Sequence, residues 1–250
     1  MPPVSFPSSI LAMFGTMEPF GFPIPFAFPL ETEAVVIDLL LLLAISFLIG
    51  SIPWGVIVSR LFFKKDIRNE GSGNIGATNA MRSLGKLGGA VVFLLDFGKG
   101  MLCGLMGALL AYAMLRSGYS NGCVALGIAF VGCVLGHVFS PWLGFKGGKG
   151  IAVAIGCLFF ALGIWPSVAL LVVFVVLVAL TRYVSVGSIV ATSIEPLIAI
   201  YVYWGDWVGM LLMVVPAVVI VWAHRSNLSR LMRGEESRLG SKGKDVGGEG

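Results

Sequence analysis

The stretch Ile37-Asp38-Leu39-Leu40-Leu41-Leu42-Leu43-Ala44-Ile45-Ser46-Phe47-Leu48-Ile49-Gly50-Ser51-Ile52-Pro53-Trp54 carries a single charge, on Asp38. It has neither the polar stripe of a surface helix nor the alternation of a half-buried strand. Apolar on every side and long enough for a bilayer core of about 30 Å, it reads as a membrane-spanning helix. The rest of the chain repeats the pattern. Hydrophobic residues make up 57% of the 250 and charged residues 12%, against about 45–50% and about 25% in soluble domains. Glycine, at 34 residues, suits close helix contact in lipid and backbone approach to a ligand in loops.

Seven apolar spans can be drawn, at approximately 36–59, 88–114, 122–143, 148–164, 166–181, 184–204 and 207–223. Gly163 and Pro166 mark the turn that divides the fourth from the fifth. One merged helix over 148–181 would be about 50 Å long at 1.5 Å per residue, too long for the hydrocarbon layer. Charge orients the chain. With the N-terminus outside, the inward segments 60–87, 144–147, 182–183 and the tail from 224 hold Arg60, Lys64, Lys65, Arg68, Arg82, Lys86, Lys146, Arg182 and the tail's arginines and lysines. The outward loops hold Arg116 and Asp206. The positive-inside rule therefore predicts an all-α, polytopic, seven-span bundle with its C-terminus in the cytoplasm.

Residues 1–33 form a Pro- and Phe-rich extension without the basic start of a signal peptide, expected to lie on the outer side. Residues 34–233 form the membrane domain, and 234–250 a polar tail expected to be disordered. The four cysteines sit inside apolar runs without metal-ligand spacing and read as small buried residues.

Three polar segments fall on the predicted inner face. Gly71-Ser72-Gly73-Asn74-Ile75-Gly76-Ala77-Thr78-Asn79, followed by Arg82, alternates flexible backbone with short hydrogen-bonding side chains and adds a guanidinium suited to phosphate. Taken alone, it could equally be a mobile surface loop. His137 to Gly150 contains Phe145-Lys146-Gly147-Gly148-Lys149-Gly150 at the expected start of the fourth helix, where free N–H groups favour an anion. It lacks the spacing and final Ser/Thr of a nucleotide-binding P-loop. Snorkelling lysines would explain its charge but not its glycines. His224 to Glu236 forms a basic juxtamembrane segment in which His224, Asn227 and Leu228 share a helix face; contact with anionic lipid is the plain alternative. Within the membrane, Asp96 and Lys99 stand one turn apart and are expected to pair or to face a polar cavity, whereas Glu195 has no local partner.

Over residues 46–238 the chain resembles the bacterial acyl-phosphate-dependent glycerol-3-phosphate acyltransferases. The resemblance rests on Gly50-Ser51-Ile52-Pro53, the run from Gly71 to Arg82, Leu95-Asp96 with Lys99-Gly100, the Phe145–Gly150 run, Tyr183-Val184-Ser185 and the run from His224 to Glu236. The long N-terminal extension and Glu195, where the family would carry a neutral residue, are departures. The resemblance implies acyl transfer from a fatty acyl phosphate to the 1-hydroxyl of sn-glycerol 3-phosphate, giving lysophosphatidic acid and phosphate. It implies a bacterial cytoplasmic membrane, membrane lipid as a partner, and no nucleic acid, cofactor or metal; oligomeric state stays open. By resemblance Ser72, Arg82 and Lys149 bind the glycerol phosphate, and His224 and Asn227 orient groups at the reaction centre. Gly71, Gly73, Asn74, Thr78, Asn79, Lys146, Gly147 and Gly148 surround them. The group that takes the hydroxyl proton is either His224 or a substrate phosphate. A transporter of a phosphorylated solute is the rival reading, but its polar groups would gather near the midplane rather than at one face. A CDP-alcohol phosphotransferase would need an Asp-rich metal motif, which the sequence does not offer.

Overall fold

The computed structural model describes residues 32–119 and 122–240. The expectations for most of the N-terminal extension and for the tail beyond Gly240 lie outside those residues. The described chain is all helical, with α1 (Thr32–Ser51), α2 (Trp54–Phe63), α3 (Ala77–Ser83), α4 (Gly85–Arg116), α5 (Cys123–Val138), α6 (Ile151–Ala161), α7 (Ile164–Thr181), α8 (Val184–Val202), α9 (Trp207–Ala223) and α10 (Arg225–Met232). Short 3-10 turns occupy Ile67–Asn69 and Pro141–Leu143.

Helix α5 is the hub, buried along almost its whole length and packed against α1, α4, α6 and α9. Small residues set its approach to α1. A Cβ on Gly50 would strike the Cys133 carbonyl, and one on Gly136 would strike the Phe47 carbonyl, so the two backbones meet where no side chain fits. Lipid offers no hydrophobic drive between helices, and close packing of this kind takes its place. Large apolar side chains such as Leu40, Leu41, Leu48, Val172, Val175, Leu180 and Leu211 face outward, as a lipid-facing surface requires.

Among the described residues, five helical units are long and apolar enough to cross a membrane: Glu33–Phe63, Gly85–Arg116, Cys123–Leu143, Ile164–Thr181 and Val184–Val202. Helix α9 joins them as a sixth if it and α10, bent by 49° from it, count together. Two expected boundaries shift. The first span breaks at Pro53, so α2 continues as a separate helix to Phe63. The fourth starts at Ile151 rather than 148, because Gly150 adopts φ 88° and caps α6. At 11 residues, α6 rises only about 16 Å. The following turn is made by Leu162 and Gly163, while Pro166 lies in the first turn of α7, where its missing N–H costs nothing.

Candidate active site

The loop from Asp66 to Gly76 is held from inside by Asn79. Its amide nitrogen donates to the carbonyls of Ile67, Glu70 and Asn74 at 3.2, 3.0 and 2.8 Å, and its oxygen accepts from Ser72 N at 2.9 Å. Gly71 and Gly73, at φ 55° and 69°, supply the left-handed turns this wrapping needs. Asn79 touches the cavity wall, but its polar atoms are spent on the loop. Its part is to present Ser72, which is exposed, and Thr78. Asn74 is likewise engaged, its Oδ1 accepting from Gly76 N at 2.9 Å. At the start of the loop, Asp66 binds Arg60 at 2.7 Å and Arg68 at 2.6 Å. These guanidinium bonds hold its carboxyl well below the usual carboxylate range.

The second segment folds back onto the end of α5. Gly147 N donates to Val138 O at 3.0 Å and Gly148 N to His137 O at 3.1 Å. Those N–H groups therefore cannot cradle an anion. The glycines serve proximity: a Cβ at Gly147 would meet the His137 carbonyl, and one at Gly148 the His137 ring. Lys146 is exposed and stands off the cavity, whereas Lys149, Gly150 and Ile151 line it at the start of α6. Behind this loop, buried Asp96 pairs with Lys99 at 2.9 Å, as their spacing predicts, and Lys99 also donates to Ile52 O at 2.8 Å. His137 Nδ1 lies 3.7 Å from the same Asp96 oxygen.

The third segment brings in His224 and Asn227, both buried, but not Leu228, which is 45% exposed. His224 Nδ1 lies 2.8 Å from Ile220 O. A carbonyl can only accept, so Nδ1 carries the proton and Nε2 keeps a free lone pair. Burial outweighs that hydrogen bond and pushes the imidazole pKa down to about 4. His224 is therefore neutral at physiological pH.

These pieces meet around one cavity of ≈ 970 Å³. Gly71, Ser72, Asn74, Thr78, Asn79, Arg82, Lys149, His224 and Asn227 line it; Gly73, Lys146, Gly147 and Gly148 do not. Asp96, His137, Ser185, Ser188, Arg230 and Glu236 also line it, and none of these was among the residues singled out as the site. Arg230 shares a helix face with Asn227, three residues earlier, which is the one local signal the sequence offered for it. Glu236 accepts from Asn227 Nδ2 at 2.6 Å, Arg230 Nε at 2.8 Å and Ser185 Oγ at 2.9 Å. Burial raises its pKa, but these three hydrogen bonds win and hold it below the ordinary value. The segment carrying Glu236 returns across the site: Arg82 donates to Ser237 O at 3.2 Å, and Leu239 N to Arg182 O at 2.6 Å.

The cavity is a bowl in which Lys149 interacts with Arg82, Arg230 and the carboxylate of Glu236. The other lining carboxylates are each paired with a lysine, Glu70 with Lys65 at 3.3 Å and Asp96 with Lys99 at 2.9 Å. Burial is the main cause that lowers the Lys149 pKa to about 8; Glu236 opposes it and the two arginines add to it. One wall of the bowl is apolar, made by Phe93, Ile155, Leu171, Phe174 and Val184. Phosphate-binding groups and an oily wall thus share a single space.

Known proteins share both the sequence and this architecture. The glycerol-3-phosphate acyltransferase family model matches residues 40–234. A glycerol-3-phosphate acyltransferase of Finegoldia magna is 37% identical over 202 residues, covering 81% of this chain and 96% of that protein. One from Bradyrhizobium diazoefficiens is 40% identical over 203 residues, with 80% and 94% covered. Among solved structures, the glycerol 3-phosphate form of PlsY (YgiH), an integral membrane glycerol 3-phosphate acyltransferase, matches with TM-score 0.70 and 35% identity. It covers 81% of this chain and 96% of that one. The lysophosphatidic acid form of the same enzyme matches with TM-score 0.67 and 34% identity, covering 81% and 95%. With the family match covering residues 40–234 and these relatives covered almost end to end, the chain belongs to the glycerol-3-phosphate acyltransferase family.

Proposed function

We propose that the cavity transfers a fatty acyl group from acyl phosphate to the 1-hydroxyl of glycerol 3-phosphate, releasing lysophosphatidic acid and inorganic phosphate. The observation that carries this reading is the single space bounded by Lys149, Arg82 and Arg230 on one side and Phe174, Leu171 and Ile155 on the other. It suits a water-soluble phosphate on the polar side and an activated acyl group on the apolar side. Similarity to an enzyme described in glycerol 3-phosphate and lysophosphatidic acid forms supports the same pair of ligands.

The hydroxyl oxygen attacks the acyl carbon, a C–O ester bond forms, and the bond from that carbon to the phosphate oxygen breaks. An acyl phosphate is a mixed anhydride, so no enzyme nucleophile is needed. Holding both anions with the hydroxyl at the acyl carbon can supply about 7–11 kcal/mol in well-oriented cases. Lys149 and Arg82 then stabilise the charge that builds on the carbonyl and the leaving phosphate. A base works best with a pKa near the operating pH. The lone pair of His224, at about 4, is a weak base, while the inorganic phosphate released from the anhydride is a stronger one. His224 Nε2 therefore accepts the hydroxyl's hydrogen bond and aims it, and the proton passes to the departing phosphate.

In the membrane, Trp165, Tyr201, Trp204 and Trp207, each more than 70% exposed, cluster where the α6–α7 and α8–α9 turns meet the outer interface. Arg60, Lys64, Lys65, Lys146 and Arg182 gather at the opposite, cavity-bearing end, assigned to the cytoplasm of a bacterial inner membrane. In this arrangement α6 completes seven spans although it is short, because it starts at the cavity floor rather than at the membrane surface. The catalytic domain extends through Gly240, since the segment from Gly234 onward ties back to the site.

Purified protein in lipid vesicles, given labelled glycerol 3-phosphate and palmitoyl phosphate or palmitoyl-CoA, tests the donor. Lysophosphatidate is expected with palmitoyl phosphate alone. Product from palmitoyl-CoA alone, by folded protein, would overturn the donor assignment.

A further inference from the structure

Beyond the catalytic cavity lies a second, narrow space of ≈ 40 Å³ in the membrane interior. It adjoins the first, with Ile151, Ile155, Phe174 and Ser188 lining both. Two helix faces run along it. Helix α6 presents Ile151, Ala154, Ile155 and Leu158, and α8 presents Ser188, Ala191, Thr192 and Glu195, each set with the spacing of a single stripe. Seven residues along α8 carry the crevice about 10 Å from the polar cavity toward the bilayer interior. At its far end is Glu195, 2% exposed, and neither carboxyl oxygen has a hydrogen-bond partner among the described residues. An acid so placed has a polar requirement that the surrounding apolar walls leave unmet.

We propose that this crevice receives the far end of the donor's acyl chain and that Glu195 sets the chain length it accepts. The proposal rests on the acyl-phosphate reading above. A chain that comes from the bilayer is already out of water, so each methylene that enters gains by close contact with the walls, and the gain continues while these are Phe130, Leu158, Leu170 and Ile220. A chain long enough to reach Glu195 presses hydrocarbon against an unsatisfied carboxyl and strips any water that solvates it. The gain then turns to a loss within one or two methylenes, so Glu195 acts as a polar stop. The site's ligand is a saturated fatty acyl chain, and Glu195 is a specificity-determining residue remote from the reacting atoms.

The test compares kcat/KM for myristoyl, palmitoyl and stearoyl phosphate, using the full chain in vesicles. Glu195→Leu keeps the bulk and removes the polar stop; it is expected to raise the stearoyl-to-myristoyl ratio about tenfold, the scale of one unsatisfied buried polar group. Glu195→Gln keeps a polar end and should keep the wild-type ratio. Ala191→Leu narrows the crevice one turn before the acid while keeping the carboxyl, and should lower the ratio; it alone decides the matter if Glu195→Leu does not fold. Wild-type turnover with ratios unchanged in both leucine variants would overturn the proposal. If the wild type uses no acyl phosphate at all, the donor assignment beneath the proposal has failed instead.

Discussion

Replacing Lys149 with alanine is expected to lower kcat/KM about 10²–10³-fold, the usual cost of removing one preorganised group that stabilises transition-state charge. Lys149 is the cation at the mouth of α6, and its neighbours Arg82 and Arg230 cannot move into its place without abandoning Ser237 and Glu236. Its ionisation adds a second signature. Burial brings its pKa down to about 8. The charged form therefore prevails below that pH and is lost as pH rises through it. Wild-type kcat/KM should fall above about pH 8, where both substrate phosphates are already fully ionised. The Lys149→Ala variant should show a low, flat profile over the same range. A descending limb that persists in the variant would assign the titration to another group.

Substituting alanine for His224 is expected to reduce kcat by about 10²-fold, the scale of losing the alignment of an attacking group. The KM for glycerol 3-phosphate should change far less, because the phosphate is held by other residues. The cause is geometric: Ile220 O fixes the tautomer, leaving Nε2 as the acceptor. Steady-state kinetics at pH 7, with circular dichroism confirming an intact helical fold, separates this from unfolding. A reduction below tenfold would mean that the hydroxyl is oriented by something else.

The architecture was legible wherever a single local signal decided it. Apolar runs located α1, α4, α5, α7, α8 and α9, because lipid demands an unbroken apolar stretch and the sequence shows one. It was less legible where backbone conformation decided. Gly150 and Pro53 both fall inside apolar stretches, where hydropathy registers neither a left-handed glycine nor a proline break, and they moved the start of α6 and split the first span. The site divides in the same way. Ser72, Arg82, Lys149, His224 and Asn227 stand in polar segments unusual enough to be noticed in an oily chain, and all five line the cavity. Gly147 and Gly148 were noticed for the same reason but serve to pack the loop on His137, since a glycine permits close approach to protein as readily as to ligand. Ser185 and Glu236 could not be found by spacing. Fifty-one residues separate them, and only the return of the C-terminal segment across α8 and α10 brings them to 2.9 Å.

In the proposed reaction a soluble phosphate meets a membrane-borne acyl donor at the face carrying the C-terminal segment. Sealed vesicles with palmitoyl phosphate in the bilayer and impermeant labelled glycerol 3-phosphate added outside test it directly, with protein orientation scored by protease access to the tail beyond Gly240. Lysophosphatidate and phosphate should appear in equal amounts, at a rate proportional to the fraction of molecules with the tail outside. Product formed only by molecules with the tail enclosed, or at a rate independent of orientation, would contradict the account.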